Sequence, residues 1–490
     1  MFDALRFCTP LVATALLAAC AVGPDYKVPA TPVDTGFVNA GASATNTEAP
    51  GTDIASFWRG FNDAALTQLV AQALAANGDV RIAQARLQEA RASLQGARAE
   101  LLPNLGVAAN AGRALQPEVL LPGVPRSGRL GNSYDAGFTA SWELDFFGRN
   151  RRASESAGAR VDASQAGVHA AHTSVVAEVA ANYIELRGLQ QRLAVATDAL
   201  TNQREGRRLT GARLDAGRGT RLDLVRAQGL VDSTEAALPA LQAGIERTAY
   251  RLATLTAQAP RTVLASLAVA QPIPTLPVTD LSTLPLGTPE QLLRRRPDLL
   301  VAERQLAAAT ADIGVATADL FPRISLTGLI GFASNRVSLL GERDSEQFAI
   351  GAGLSWPLLD FGRVRSRIAA SEARAQQALA RYEQTVAVVL EETEGALAQF
   401  TRTTQQTGRL ASAARNAEEA TRLARLRFDA GVVDFLTVLD AERQTLAARD
   451  ALVLAQTQVA TSLVGVYRAL GGGWRDAADG AASAQAAPQR

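Results

Sequence analysis

Two kinds of hydrophobic pattern divide the chain. The first is alternation. Ile324, Leu326, Gly328, Ile330 and Phe332 share one side of an extended run, and Ser325 and Thr327 lie on the other. Phe348, Ile350, Ala352, Leu354, Trp356 and Leu358 alternate with Gly351, Gly353 and Ser355. Tyr134, Ala136, Phe138, Ala140, Trp142 and Leu144 repeat the pattern earlier in the chain. Each run predicts a strand of about 9–11 residues, the length that crosses a bilayer as part of a barrel. The second pattern is helical. Val175, Val179, Tyr183, Leu186, Leu189 and Leu193 recur at steps of three and four residues. Residues 150–214 and 363–429 contain no proline, which predicts two helices of about 100 Å each. Returning helices are expected over about 220–257 and 434–470, with Pro239 kinking or interrupting the first.

The patterns occur twice. Asp215-Ala216-Gly217 returns as Asp429-Ala430-Gly431, and the same offset carries Trp142 to Trp356, Phe147 to Phe361 and Arg149 to Arg363. Leu101-Leu102-Pro103 matches Leu320-Phe321-Pro322 at an offset five residues longer, so an extra loop segment falls between Pro103 and Trp142. Each copy reads as helices, a strand pair, a long helix, a glycine turn and a second long helix. Two copies supply four strands, too few to close a barrel. Several chains must share one. Trp142 and Phe147, like Trp356 and Phe361, stand at strand ends, where an aromatic girdle is expected.

The N-terminus reads as an address. Residues 7–19 form an apolar run too short to span a bilayer as a helix and of signal-peptide length. The run ends in Leu17-Ala18-Ala19-Cys20, small residues before a cysteine, as at a bacterial lipoprotein cleavage site. Cys20 is then the lipidated N-terminus of the mature chain, and Cys8, the only other cysteine, is lost. No later stretch has the length and apolarity of a membrane helix. Charge adds an exclusion: 49 Lys+Arg against 48 Asp+Glu give a net +1, with no basic field for nucleic acid. His169 and His172 lie one helical turn apart without further ligands and read as a polar helix face. No nucleophile–base pair or metal cluster points to an enzyme.

CAVGPDYKVP at 20–29, LPLGTPEQLLRRRPDLLVAERQL at 284–306, the Gly-Arg strand exits, DFLTVLDAERQ at 434–444 and Tyr467 with ALGGGW at 469–474 occur in this order. Together they resemble the outer-membrane factors, TolC/OprM-like channel tunnels, and among them the NodT-type efflux lipoproteins. The resemblance implies an α+β membrane channel-tunnel with an internal two-fold repeat. It implies a homotrimer whose chains give four strands each to one twelve-stranded β-barrel, continuous with a long periplasmic α-helical barrel. The expected segments are a signal peptide (1–19), a lipidated extended segment (20–60), repeat 1 (61–257, strand pair about 103–145, helical turn near 217), a connector (258–290), repeat 2 (291–474, strand pair about 322–358, turn near 431) and a disordered tail (475–490).

The function so implied is conduction: the exit duct of a tripartite RND-type pump exporting drugs or other small toxic compounds. Its partners are a periplasmic adaptor (membrane-fusion) protein, an inner-membrane RND transporter and outer-membrane lipid. No cofactor is implied beyond the lipid on Cys20. A duct for type I protein secretion and a pore-free structural envelope lipoprotein are the competing readings. Residue by residue, the resemblance assigns a periplasmic gate to Leu436, Asp440 and Arg443, with Asp223 as a further acidic position. The first three are spaced to share one helix face. Leu222 and Arg226 are the repeat counterparts of Leu436 and Asp440, which permits an Asp440–Arg226 pair between neighbouring hairpins. The same charges also fit a solvated helix face. Gly217, Arg218, Gly219, Thr220, Gly431 and Val432 are assigned to the tips that dock the adaptor. A turn that needs glycine at positive φ explains the glycines equally well.

Overall fold

The computed structural model describes residues 21–39, 54–275 and 286–472. The signal segment, the lipidation position Cys20, part of the connector and the tail lie outside them. The described chain forms two compact units. One comprises the described residues within 1–30, 86–165 and 301–383; the other comprises those within 31–85, 166–300 and 384–490.

The elements run α1 (Ala64–Ala76), α2 (Gly78–Ala99), β1 (Asn104–Leu115), β2 (Leu130–Leu144), α3 (Arg149–Asp215), α4 (Arg221–Leu255) and α5 (Pro260–Ser266). The second half gives α6 (Pro289–Arg295), α7 (Pro297–Ala318), β3 (Arg323–Ser334), β4 (Glu346–Ser355), α8 (Arg363–Asp429) and α9 (Phe435–Ala469). The repeat is regular to the residue. Helix α7 and strand β3 begin and end 219 residues after α2 and β1, and α8 and α9 lie 214 residues after α3 and α4. Both long helices are 67 residues, continuous where the sequence has no proline. Of the kink or interruption expected at Pro239, the interruption does not occur: helix α4 runs through it. Pro239 and Glu235, whose carbonyl the missing N–H frees, are both exposed, so that carbonyl need not be buried without a partner.

In the first unit the strands form one antiparallel sheet of order β1-β2-β3-β4. Phe138 lies opposite Val107 on one side and Ile330 on the other, and Ile330 lies opposite Phe348. Because side chains alternate, this register gathers Leu105, Val107, Phe138, Ile330, Phe348, Ile350 and Leu354 onto one face, all exposed. The other face carries Asn110, Asp135, Thr139, Ser141, Ser325 and Thr327 among glycines and alanines. An exposed apolar face backed by a small, polar one inverts the usual order of a water-soluble sheet. It fits strands with lipid on one side and water on the other. Among the described residues no helix is long and apolar enough to cross a membrane.

The N-terminal segment is tied to the same unit. Arg152, buried, donates to Asp25 at 2.7 Å, to Glu155 at 2.8 Å and to the Val22 carbonyl at 3.2 Å. Gly23, at φ +94°, backs onto Gly314 so closely that a Cβ on it would sit 2.5 Å from the Gly314 Cα. That close approach accounts for the glycine of the CAVGPDY motif.

In the second unit a polar residue ahead of each repeat's helix ties down the end of that repeat's return helix. Asn77 donates to the Leu255 carbonyl at 3.0 Å. Its counterpart Arg296 donates to the Ala469 carbonyl at 2.9 Å, to Asp298 at 2.6 Å and to Glu392 at 2.8 Å. Burial pulls the Arg296 pKa down, but the bonds to Asp298 and Glu392 outweigh it and hold the guanidinium above its ordinary value. The third arginine of LLRRRPD is thus a buried clamp, as its place before the helix at Pro297 implies. Arg187, also buried, lies over the Tyr183 ring and donates to the carbonyl of Val269 at 2.8 Å, holding the connector where it leaves α5.

Candidate channel: tips, gate positions and membrane face

The two helical turns have the same construction. Asp215 and Asp429 end their helices, and Gly217 and Gly431 take φ +70° and +73°. The Arg218 N–H bonds the Arg213 carbonyl at 2.8 Å, and the Val432 N–H bonds the Arg427 carbonyl at 2.9 Å. This is the six-residue closure of a helix C-terminus, and the left-handed residue in it favours glycine. Thr220 and Asp434 then cap the return helices, accepting from the amides of Asp223 and Thr437. The Asp223 carboxylate returns to the Thr220 amide and hydroxyl. Asp223, expected in the gate network, is therefore the far member of a capping box. The spacing Thr-x-x-Asp before an apolar run was the signal for it.

The tip positions come together. Gly217, Arg218, Gly219, Thr220 and Gly431 line one cleft of about 530 Å³ with Arg213. Val432 stands outside it, exposed. The Arg213 guanidinium lies 4.1 Å from the centre of the Phe428 ring, and Phe428 tilts against Phe435 at 5.2 Å. Phe435 packs with Ala227, Ala424 and Val438. This small core joins the ends of the two hairpins, so the turns form one surface.

The gate positions lie within the first three turns of α4 and α9. Leu222 and Leu436 are both exposed apolar side chains. Asp440 accepts from Arg443 at 2.8 Å and from Gln444 at 2.8 Å. Within one copy no Asp440–Arg226 pair forms among the described residues. The reason is local: donors at i+3 and i+4 on the same helix reach the carboxylate without bridging to another helix. Asp440 and Arg443 are half-exposed or more and keep the acid and base on one face.

Sequence reasoning missed the polar contacts between the long helices. Arg192 of α3 grips Asp450 of α9 through two bonds, at 2.7 and 2.9 Å. Arg425 meets Glu442, and Arg449 meets Glu418, around a cavity of about 370 Å³. Gln203 reaches into its lining with both amide atoms buried and unpaired. These residues follow the helical period as ordinary surface charges. Only the packing of α3 against α8 and α9 brings them together. His172 is partly buried, and burial, with His169 beside it, lowers its pKa. Among the described residues no cluster is suited to hold a metal ion.

At the membrane face the repeat is again visible in side chains. The Trp142 indole donates to the Leu101 carbonyl at 3.0 Å, and Trp356 does the same to Leu320 at 3.0 Å. Each tryptophan is apolar in body and bonded at its tip, the arrangement favoured at a lipid–water boundary. Phe147 stacks on Phe321 at 4.7 Å, whereas Phe361 is 93% exposed at φ +53°.

An apolar-faced sheet and paired helical hairpins define a membrane-embedded channel component. The family of outer membrane efflux proteins matches residues 69–258 and 288–472. The chain belongs to that family: it is an outer-membrane efflux channel, and its family is one of channels, not enzymes. Outer membrane protein OprJ of Pseudomonas aeruginosa is 34% identical over 463 residues, covering 94% of each chain. The solvent efflux pump outer membrane protein SrpC of Pseudomonas putida is 31% identical, covering 95% of this chain and 98% of its own. The solved outer-membrane channel OprN is 39% identical with a TM-score of 0.85, covering 93% of this chain and all of its own. The resemblance read from the motifs and the α+β channel fold agree with these findings.

Proposed function

We propose that this protein is the exit duct of a tripartite RND-type efflux pump that expels small toxic organic compounds. It is a homotrimer, anchored by lipid on Cys20, and its tips dock a periplasmic adaptor that connects it to an inner-membrane transporter. The observation that carries this reading is the sheet. Four strands with an apolar outer face leave β1 and β4 unpaired at the edges. Unpaired strand edges in lipid are costly, and closure across copies removes them. Twelve strands from three copies enclose a passage wide enough for small molecules. SrpC, named for solvent efflux, supports organic cargo. The joined tips offer the adaptor one continuous surface. Leu436, Asp440 and Arg443, with Leu222 and Arg226, form the gate, the Asp440 carboxylates giving the constriction a preference for cations.

The test is the susceptibility of a deletion strain to antibiotics, dyes, solvents, detergents and metal salts, with and without the restored gene. Hypersensitivity to organic compounds, rescued by the gene, is expected. Hypersensitivity to metal salts alone overturns the organic cargo. An unchanged panel together with proteins missing from the medium favours the secretion duct.

A further inference from the structure

Gln203 of α3 is 4% exposed, and neither polar atom of its amide has a hydrogen-bond partner among the described residues. Burying an amide without partners costs stability. Helix packing does not require an amide there. The repeat puts Ala417 at the counterpart position in α8, 214 residues on, so the fold accepts a small apolar side chain at that place. Gln203 lines the cavity of about 370 Å³ between α3, α8 and α9. Part of the wall is apolar, from Val195, Ala199, Leu426 and Leu446. Three arginines and three carboxylates complete it, so its formal charge is zero. Arg425 places both its bonds, at 2.7 and 3.1 Å, on Oε1 of Glu442, whose side chain is 10% exposed. Oε2 of Glu442 is left without a partner among the described residues. Arg449 holds Glu418 in the same way. A charged ligand would have to break one of these pairs, and a neutral one would not.

The geometry points to a binding site, one per chain, for a small neutral organic molecule that carries a carboxamide on an apolar body. A side-chain amide offers a donor and an acceptor side by side, which is what a second amide complements. The ligand carbonyl accepts from Nε2 of Gln203. The ligand N–H donates to Oε1 of Gln203 or to Oε2 of Glu442. The apolar body lies against Leu426 and Leu446. The volume falls toward the lower end of ligand pockets, roughly 300–1,000 Å³, so the ligand is compact. On α9, Glu442, Thr445 and Arg449 lie on the helix face turned away from Asp440 and Arg443. The site is therefore separate from the gate positions and does not depend on the conducting role.

The experiment uses the full-length protein purified in detergent, with benzamide as the probe. Binding is read by saturation-transfer NMR on the probe and by the melting temperature of the protein. The unaltered protein is expected to bind benzamide saturably and to melt higher as the site fills. Gln203→Met keeps the length of the side chain and removes the amide. It is expected to fold, since it relieves an unpaired buried group, and to bind benzamide about tenfold more weakly. Leu446→Trp fills the cavity and is expected to abolish saturable binding. Benzoate and benzylamine, the charged analogues, are expected to bind at least about tenfold more weakly than benzamide. A signal that does not saturate, as partition into detergent gives, overturns the site, and so does an affinity unchanged by either substitution. Benzoate or benzylamine bound as tightly as benzamide overturns the neutral class of ligand.

Discussion

Arg296→Ala tests the clamp at the end of α9. The side chain is 7% exposed and makes charge-assisted bonds to Asp298 and Glu392, each 42% exposed, and one bond to the Ala469 carbonyl. Removing a partner from a fully buried pair costs about 3–5 kcal/mol. Both carboxylates here reach water once Arg296 is gone, so each contributes nearer about 1 kcal/mol, and the carbonyl about 1 more. The sum is a local loss of about 2–3 kcal/mol, confined to the end of α9 and the turn between α6 and α7. Amide hydrogen exchange reads it directly. Peptides covering residues 463–472 and 289–298 should exchange roughly 30- to 100-fold faster, since about 1.4 kcal/mol is tenfold. Peptides from the middle of α8 should be unchanged. Arg296→Lys should recover part of the protection, because one ammonium keeps the charge without the fork. A change below about twofold in the α9 peptides would refute the clamp and place Arg296 among ordinary surface charges.

Other expectations follow the same logic. Thr220→Ala removes an N-cap and should destabilise the start of α4 by about 1 kcal/mol, read as faster exchange of the tip amides; equal exchange contradicts the capping-box assignment of Asp223. Arg192→Ala should loosen α3 against α9 by about 1 kcal/mol, and a double-mutant cycle with Asp450→Ala should return a coupling of that size, zero coupling refuting the bridge. Tyr183 and Tyr467 are buried, which pushes both phenols up to about 12, with the Asp63 hydrogen bond adding to the effect at Tyr183. A raised folded pKa means their stabilisation is complete below the unfolded value near 10 and is lost as pH rises through about 12. Alkaline difference titration against Tyr183→Phe and Tyr467→Phe should therefore show these two tyrosinates forming together with loss of helix in that window, and either of the two titrating near pH 10 in the folded protein would contradict the burial.

Much of this architecture is legible in the chain because its constraints are periodic. A strand with lipid on one face and water on the other must alternate, as Phe348 to Leu358 do. A two-fold repeat must reproduce its turns, as Gly217 and Gly431 do. What stayed hidden depends on contacts between segments far apart in sequence. Arg152 pairs with Asp25 across 127 residues, and Arg192 with Asp450 across 258. Nothing near either arginine marks it off from its neighbours. Pro239 breaks the helical rule yet leaves α4 intact, because its cost depends on solvent access to one carbonyl. At the gate the chemistry was visible but its pairing was not: Asp440 has three donors within reach of sequence reasoning, and the helix period favours Arg443 and Gln444 over Arg226.

The central claim is that Asp440 helps close a conducting passage. The direct measurement is single-channel conductance and ion selectivity of the purified protein in planar bilayers, unaltered and as Asp440→Ala. A half-exposed carboxylate that bonds across copies only in the closed tip is worth about 1 kcal/mol, so three copies shift the balance between closed and open by about 100-fold. The account predicts a variant of markedly higher conductance and weaker cation preference. Identical conductance and selectivity in the two proteins would contradict it.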